Sequence, residues 1–363
     1  MLEFIKEKSY YLLGGTVILL VIIIIIASCS NNSGGSSYSK IEEKMKLAAK
    51  NYYDARKNKL PKEDGGVVKV NIGTLVDAEL LEEIKDPKNK ENTCTGYVEV
   101  TKVGEDYSYM PFLTCMDYKT ITLREKIINS GKDKYGNGIY KIDNEYVYRG
   151  EVPNNYISFN DNLWRILKVD SEGDVAIVLN EPTSIKYTWD YKYNSDTIKD
   201  KVNGSGNTND YFKSNIHMKL EEYYDNKISE ESKKYIMSKD LCIGKVGLEE
   251  TSTIESECNV VSKGDKVGLL KLTDYVRASL DSGCLNYDSS ECVNYNYLAF
   301  GNNIDTWLMT TLKENSYEAF TLRGGVSKDV ASNSNYINPV IYLNKSSLIS
   351  SGNGTEEKPY TLR

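Results

Sequence analysis

An α+β chain with an N-terminal transmembrane helix and two domains outside the cytoplasm is what the sequence predicts. Three observations carry that expectation. Residues 10–27 form one uncharged apolar run, most apolar over 16–27. Beyond it, short segments with helical periodicity alternate with runs that read as strands. Six of the seven cysteines then fall into three sequence-local pairs, Cys94 with Cys115, Cys242 with Cys258 and Cys284 with Cys292.

The apolar run comes first. At about 1.5 Å per residue it reaches about 27 Å, enough for a hydrocarbon core. Lys6 and Lys8 precede it and the next basic residue is Lys40. The positive-inside bias therefore places the N-terminus in the cytoplasm and the bulk of the chain outside, in a single pass. Residues 26–29 also match a lipobox, in which the signal is cleaved and Cys29 carries lipid. The run is longer than a usual signal core of about 7–15 residues, which favours the uncleaved helix. Either anchor leaves the chain on the outer face, where disulfides are the default state of paired cysteines.

Composition narrows the class. The chain has 363 residues, 40% of them hydrophobic, which is enough for packed cores and excludes general disorder. Lys and Arg number 45 against 52 Asp and Glu, a net charge of −7, with the signs well mixed. That argues against a nucleic-acid partner. The boundaries expected are an anchor at 1–28, a flexible linker at 29–38, a small domain at 39–118, a linker at 119–137 and a larger domain at 138–363.

Within the small domain, Ser39 and Glu42 form a capping-box pattern. It opens a helix with Ile41, Met45, Ala48 or Ala49, and Tyr52 on one face, ending before Pro61. A strand at 67–70 follows. A second helix should start at Thr74, carry Leu75, Ala78, Leu81 and Ile84 on one face, and stop at Pro87. Residues 97–103 and 106–113 alternate like strands around Gly104 and Glu105, a two-residue turn with glycine first. Opposite residues of that hairpin sum to 209, as do Cys94 and Cys115, so the register itself sets these two cysteines face to face.

A short helix is expected near 121–129. Five strands should then form a meander at 138–142, 146–149, 156–159, 163–169 and 175–179. Helices follow at about 209–224, with Phe212, Ile216, Leu220 and Tyr223 on one face, and from Ser229 to about Met237. A strand at 267–272 leads into a helix capped by Thr273. Late strands are expected at 307–311, 319–323 and 339–343, and a closing strand at the end of the tail.

Two stretches resemble known families. Residues 38–115 are similar to the soluble part of type IV pilin-like and pseudopilin-like proteins, on the helix carrying Ala48, Ala49, Tyr52 and Tyr53, the break at Pro61, residues 75–78, and the disulfide-closed hairpin. The chain has no Gly–Phe/Met prepilin cleavage site. Residues of about 145–363 resemble a surface domain of low-GC Gram-positive bacteria, on residues 156–159, 163–170, 267–270, 306–309 and 338–343. That pattern is similar to the C-type-lectin-like or formylglycine-generating-enzyme fold. Asn338 stands where the family frequently has arginine. The resemblances imply a small pilin-like α+β domain followed by a larger C-type-lectin-like one. They also imply two alternative roles, a subunit of a pilus-like or secretion assembly and an enzyme of the sulfatase-modifying type.

Catalytic chemistry is sparse. His217 is the only histidine, and no partner for it is identifiable in the sequence. There is no HExxH, GxSxG or phosphate-cradling glycine loop. No catalytic residue, metal or cofactor is expected. Trp164 and Arg165 should lie on opposite faces of a strand, Trp164 in the core and Arg165 in a structural ion pair. Residues 203–210, rich in Asn, Asp and Gly, lack EF-hand spacing and read as a loop. Trp189, Tyr191, Trp307 and Asp305 sit in polar, aromatic stretches suited to stacking on sugars. The function expected is therefore non-catalytic binding or scaffolding at the cell surface. The membrane is held through residues 10–27, and a cell-wall glycan or surface protein is the expected partner.

Overall fold

Helix α1 (Ser37–Asp54) buries Met45, Ala48, Ala49, Tyr52 and Tyr53 along one side, the steps of three and four that the sequence shows. In the computed structural model, residues 37–190, 209–248, 250, 253–299 and 304–363 are described. The apolar run at 10–27, Cys29 and Tyr191 lie outside them. Among the described residues no helix is long and apolar enough to cross a membrane.

Helix α1 packs on a three-stranded antiparallel sheet of β1 (Val67–Asn71), β2 (Thr95–Val103) and β3 (Asp106–Thr114), in that order. The β2–β3 register pairs Thr95 with Thr114 and Val103 with Asp106, the expected sum of 209. Gly104 takes a φ of +58°, which its missing side chain permits at the first turn position. Cys94 and Cys115 are disulfide-bonded at the open end.

Their separation of 21 residues implies that the double substitution Cys94→Ala/Cys115→Ala destabilises the small domain by about 3 kcal/mol. Urea unfolding followed by far-UV circular dichroism measures this. An unchanged midpoint would mean that strand pairing alone closes the hairpin.

Two local expectations are corrected here. Ser39 does not cap α1, because the helix already runs at Ser37, and Glu42 turns inward instead of back to the backbone. Helix α2 spans only Ile72–Asp77 and is preceded by Asn71, not Thr74. Glu79 in the left-handed region, at a φ of +57°, ends it. The apolar period continued to Ile84, but the chain reaches that buried position by turns.

Helix α3 (Leu123–Ile128) has a complete capping box between Thr122 and Glu125. It lies in the segment expected as a linker, yet Leu123 and Ile127 are fully buried in the core of the larger domain. The meander follows as β4 (Gly138–Ile142), β5 (Glu145–Arg149), β6 (Tyr156–Phe159), β7 (Asn162–Val169) and β8 (Val175–Leu179), within a residue or two of expectation. Trp164 is wholly buried, and its indole N–H donates to the Phe159 carbonyl at 2.9 Å.

Arg165 makes no ion pair among the described residues, contrary to expectation. Its Nε donates to Asn155 Oδ1 at 2.6 Å and its Nη1 to the Tyr156 hydroxyl at 3.0 Å. The guanidinium lies over the Tyr156 and Tyr297 rings, at 4.0 and 4.9 Å.

The remaining strands are β9 (Tyr187–Thr188), β10 (Lys239–Cys242), β11 (Lys245–Val246), β12 (Val261–Asp265), β13 (Gly268–Leu269), β14 (Thr306–Leu312), β15 (Glu318–Arg323), β16 (Gly325–Val330), β17 (Ser334–Asn335), β18 (Pro339–Leu343), β19 (Ile349–Ser351) and β20 (Thr361–Leu362). A seven-stranded sheet has the order β13-β18-β8-β7-β5-β4, with β6 also on β7. A four-stranded sheet has the order β11-β14-β15-β16. Strands β10, β12 and β16 carry no clean alternation and are absent from the sequence expectation. Helix α4 (Asn215–Lys227) begins after Ser214, helix α5 (Glu230–Lys233) after Ser229, α6 spans Thr253–Glu257, and α7 (Leu272–Ala278) begins after Lys271, not at Thr273.

The smaller and larger cores meet through polar contacts, some buried and some exposed. The Glu42 carboxylate, with no exposure, receives the Tyr118 hydroxyl at 3.0 Å and also the Thr120 hydroxyl and the Arg363 guanidinium. Ser346 bonds Glu99 across the same joint. Asp64, beside the hairpin turn, reaches Ser238 and Lys266.

Candidate functional site

His217 acquires a partner only in the folded chain. It sits in the first turn of α4, where the Ser214 hydroxyl accepts its backbone N–H at 3.1 Å. Its Nε2 lies 3.5 Å from Asp265 Oδ1. The other Asp265 oxygen is 3.5 Å from the Tyr211 hydroxyl, and the Tyr211 and His217 rings stand 4.5 Å apart. Burial, and then Asp265, push the Tyr211 phenol well above its ordinary range, so it remains a hydrogen-bond donor at neutral pH.

A chain of local causes places Asp265. The disulfide Cys242–Cys258 ties β10 to the approach of β12. Strand β12 pairs with β10 and ends at Asp265, opposite Lys239. Gly264, at a φ of +76°, sits at the register irregularity of β12 just before it. Across from this end, α4 presents His217, Glu221, Tyr224 and Asp225, which recur at about one side of the helix.

Between them lies a cavity of about 220 Å³. Leu220 and Val267 form its buried floor, and Glu221 and Asp225 its exposed rim. Lys266 also lines it, but its ammonium is 3.0 Å from Asp64 of the smaller domain. Among the described residues the cavity is lined by His217, Leu220, Glu221, Tyr224, Asp225, Gly264, Asp265, Lys266 and Val267, with no serine, threonine or cysteine. The arrangement suits capture of a cation with several N–H donors.

The three cysteine pairs are all disulfides, Cys284–Cys292 included. The aromatic surface expected at Trp189 and Trp307 is corrected. Both indoles are buried, at 0% and 1% exposure, and pack edge to face at 6.0 Å. Thr306 beside Trp307 donates its hydroxyl to the Leu322 carbonyl at 3.4 Å, and Asn215 donates to the carbonyl and hydroxyl of Thr188 beside Trp189, so polar neighbours that read as surface are satisfied inside the fold. Asp305 stands apart from them, 3.7 Å from Arg323. Asn338 is also buried and donates to the Leu179 carbonyl at 2.9 Å.

Two other features stand outside this pocket. Oxygens of Asp170, Glu172 and Asp174 lie within 4.8 Å of one another. The Lys239 ammonium stands among them, 2.8 Å from Asp170 and 3.0 Å from Asp174, so this loop holds a cation of its own. A hollow of about 270 Å³ on the smaller domain runs along Tyr97, Phe112 and Lys119. It is larger, but Tyr97 and Phe112 stack on each other at 4.9 Å and Lys69 covers Tyr97 at 4.5 Å. Its lysine, Lys119, is 3.4 Å from Glu125.

Fold and site thus define a disulfide-bonded α+β protein with two hydrophobic cores and, among the described residues, an acidic pocket beside the larger core. Comparison with known proteins finds no matching family model, no matching curated protein and no matching solved structure.

Proposed function

We propose that this is a non-catalytic binding protein of the outer cell surface, anchored through residues 10–27, whose larger domain captures a lysine-like ammonium group. The observation that carries the reading is the cavity in which His217, Asp265, Glu221 and Asp225 converge while its one lysine is turned to Asp64. Three carboxylates around an apolar floor match an ammonium on an alkyl stem better than a neutral sugar. A lysine-bearing surface protein is accordingly favoured over a cell-wall glycan. The anchor run and the three disulfides support an extracellular setting. The disulfide state of the six described cysteines speaks against the alternative of an enzyme of the sulfatase-modifying type, which would need two free thiols.

Nα-acetyl-lysinamide, titrated into the protein by ligand-observed NMR, tests the reading. Asp265→Asn is expected to weaken its binding about ten-fold, the loss of one charge-assisted contact. Equal binding of the uncharged norleucine analogue would sink the proposal.

A further inference from the structure

Lys266 carries the wrong charge for the pocket's ligand, and Asp64 of the smaller domain is what restrains it. We propose that Asp64 is a positioning residue: it holds the Lys266 ammonium away from Asp265, Glu221 and Asp225, and so keeps the pocket open and acidic. This rests on the reading of the pocket as an ammonium site.

The geometry of Asp64 is that of a fixed anchor. Its Oδ1 accepts the Gly104 amide at 2.8 Å, at the tip of the β2–β3 hairpin. Its Oδ2 accepts the Ser238 hydroxyl at 2.7 Å and the Lys266 ammonium at 3.0 Å. Both oxygens are therefore engaged, one by its own domain and one by the other. Burial raises its carboxyl, but Ser238, Gly104 and Lys266 outweigh this and hold it below the ordinary range, so the anchor stays charged at neutral pH.

Lys266 is adjacent in sequence to Asp265 and lines the cavity with Glu221 and Asp225. A lysine stem is flexible and its ammonium is a point charge with rotatable donors. Released from Asp64, it would turn to the three carboxylates, fill part of the 220 Å³ and cancel one charge. The ligand would then compete with an internal cation of its own kind. Docking of the smaller domain thereby sets the affinity of a site on the larger one.

The test uses the full chain and two readouts. With Nα-acetyl-lysinamide as the probe, Asp64→Asn is expected to weaken binding about five-fold, and Asp64→Asn/Lys266→Gln to restore it. Restoration separates displacement of Lys266 from a general loosening of the domain joint. A double variant as weak as Asp64→Asn overturns the proposal.

The second readout needs no ligand. The chain has a single histidine, so the imidazole C2–H resonance of His217 is identified at once and reports on Asp265. At fixed neutral pH it should move in Asp64→Asn and return in the double variant. A resonance that stays put in Asp64→Asn overturns the positioning role even where the probe binds. A wild-type protein that ignores the probe, with the resonance moving as expected, overturns the ammonium reading alone.

Discussion

Asp274→Ala is expected to destabilise the larger domain by about 3–5 kcal/mol, the cost of leaving a buried cation short of its partner. Asp274 lies in the first turn of α7, where it accepts the Lys271 amide at 3.2 Å, and it is 3.5 Å from the Lys168 ammonium. Lys168 projects from β7 and is also 3.0 Å from Glu145 on β5. Arg277 completes the group, 2.7 Å from Glu145 and 2.8 Å from Asp143. The Lys168 and Asp274 side chains are each 8% exposed, so water cannot replace a lost partner.

Lys168→Met should cost a similar amount, because it leaves the buried Asp274 carboxylate without its ammonium, while Glu145 keeps Arg277. Urea denaturation of the full chain, followed by tryptophan fluorescence, measures both. A loss below about 1 kcal/mol would place the network among weak surface pairs.

The same pair fixes a pH dependence. Burial raises the Asp274 carboxyl, but Lys168, Lys271 and the Lys271 amide outweigh it and hold it below the ordinary range. Its stabilisation is therefore present above the unfolded carboxyl pKa of about 4 and is lost as pH falls through the lower folded value. Burial lowers Lys168, while Asp274, Tyr342 and Glu145 more than reverse that and raise it. Its contribution is present below an unfolded pKa of about 10 and is lost only at higher pH. Stability from this network should be flat from about pH 5 to 10 and fall on the acid side.

The second large effect is at Trp307. Trp307→Ala is expected to cost about 3–5 kcal/mol, since the indole is 1% exposed on β14 and packs against Trp189. Replacement by phenylalanine separates packing from hydrogen bonding. The Trp307 indole N–H donates to the Tyr187 carbonyl at 2.7 Å, whereas that of Trp189 has no acceptor among the described residues. Trp307→Phe should therefore cost about 1–2 kcal/mol more than Trp189→Phe. Thermal unfolding of the two variants decides it. Equal losses would mean that the Tyr187 contact contributes nothing.

Much of the fold was legible because it is local. The β2–β3 hairpin, its register and the Cys94–Cys115 bridge follow from a two-residue turn and strict alternation. The meander was legible for the same reason, its turns marked by Asp143, Asn160, Asp161 and Gly173 at positive φ. Where boundaries failed, a distant contact had taken the residue. Glu42 left its capping role for Arg363, Tyr118 and Thr120. The short strands β10, β12 and β16 carry no alternation of their own, and pairing with neighbours defines them.

By itself, then, the sequence determined the α+β class, the meander, the tight hairpin and the pairing of cysteines close in the chain. Those rest on the two periods of the backbone and on turn residues, which neighbours in sequence decide. Strict alternation along β7 would put Lys168 on the apolar face with Trp164. A register slip between Ile166 and Lys168 instead gives it the face of Arg165, among the carboxylates, because one bulged residue exchanges the faces beyond it. Tertiary structure also buried the two indoles, gave His217 its Asp265, and brought Asp64 to Lys266 across 202 residues. Charge and ring contacts of that span depend on how whole domains pack, and no local period encodes them.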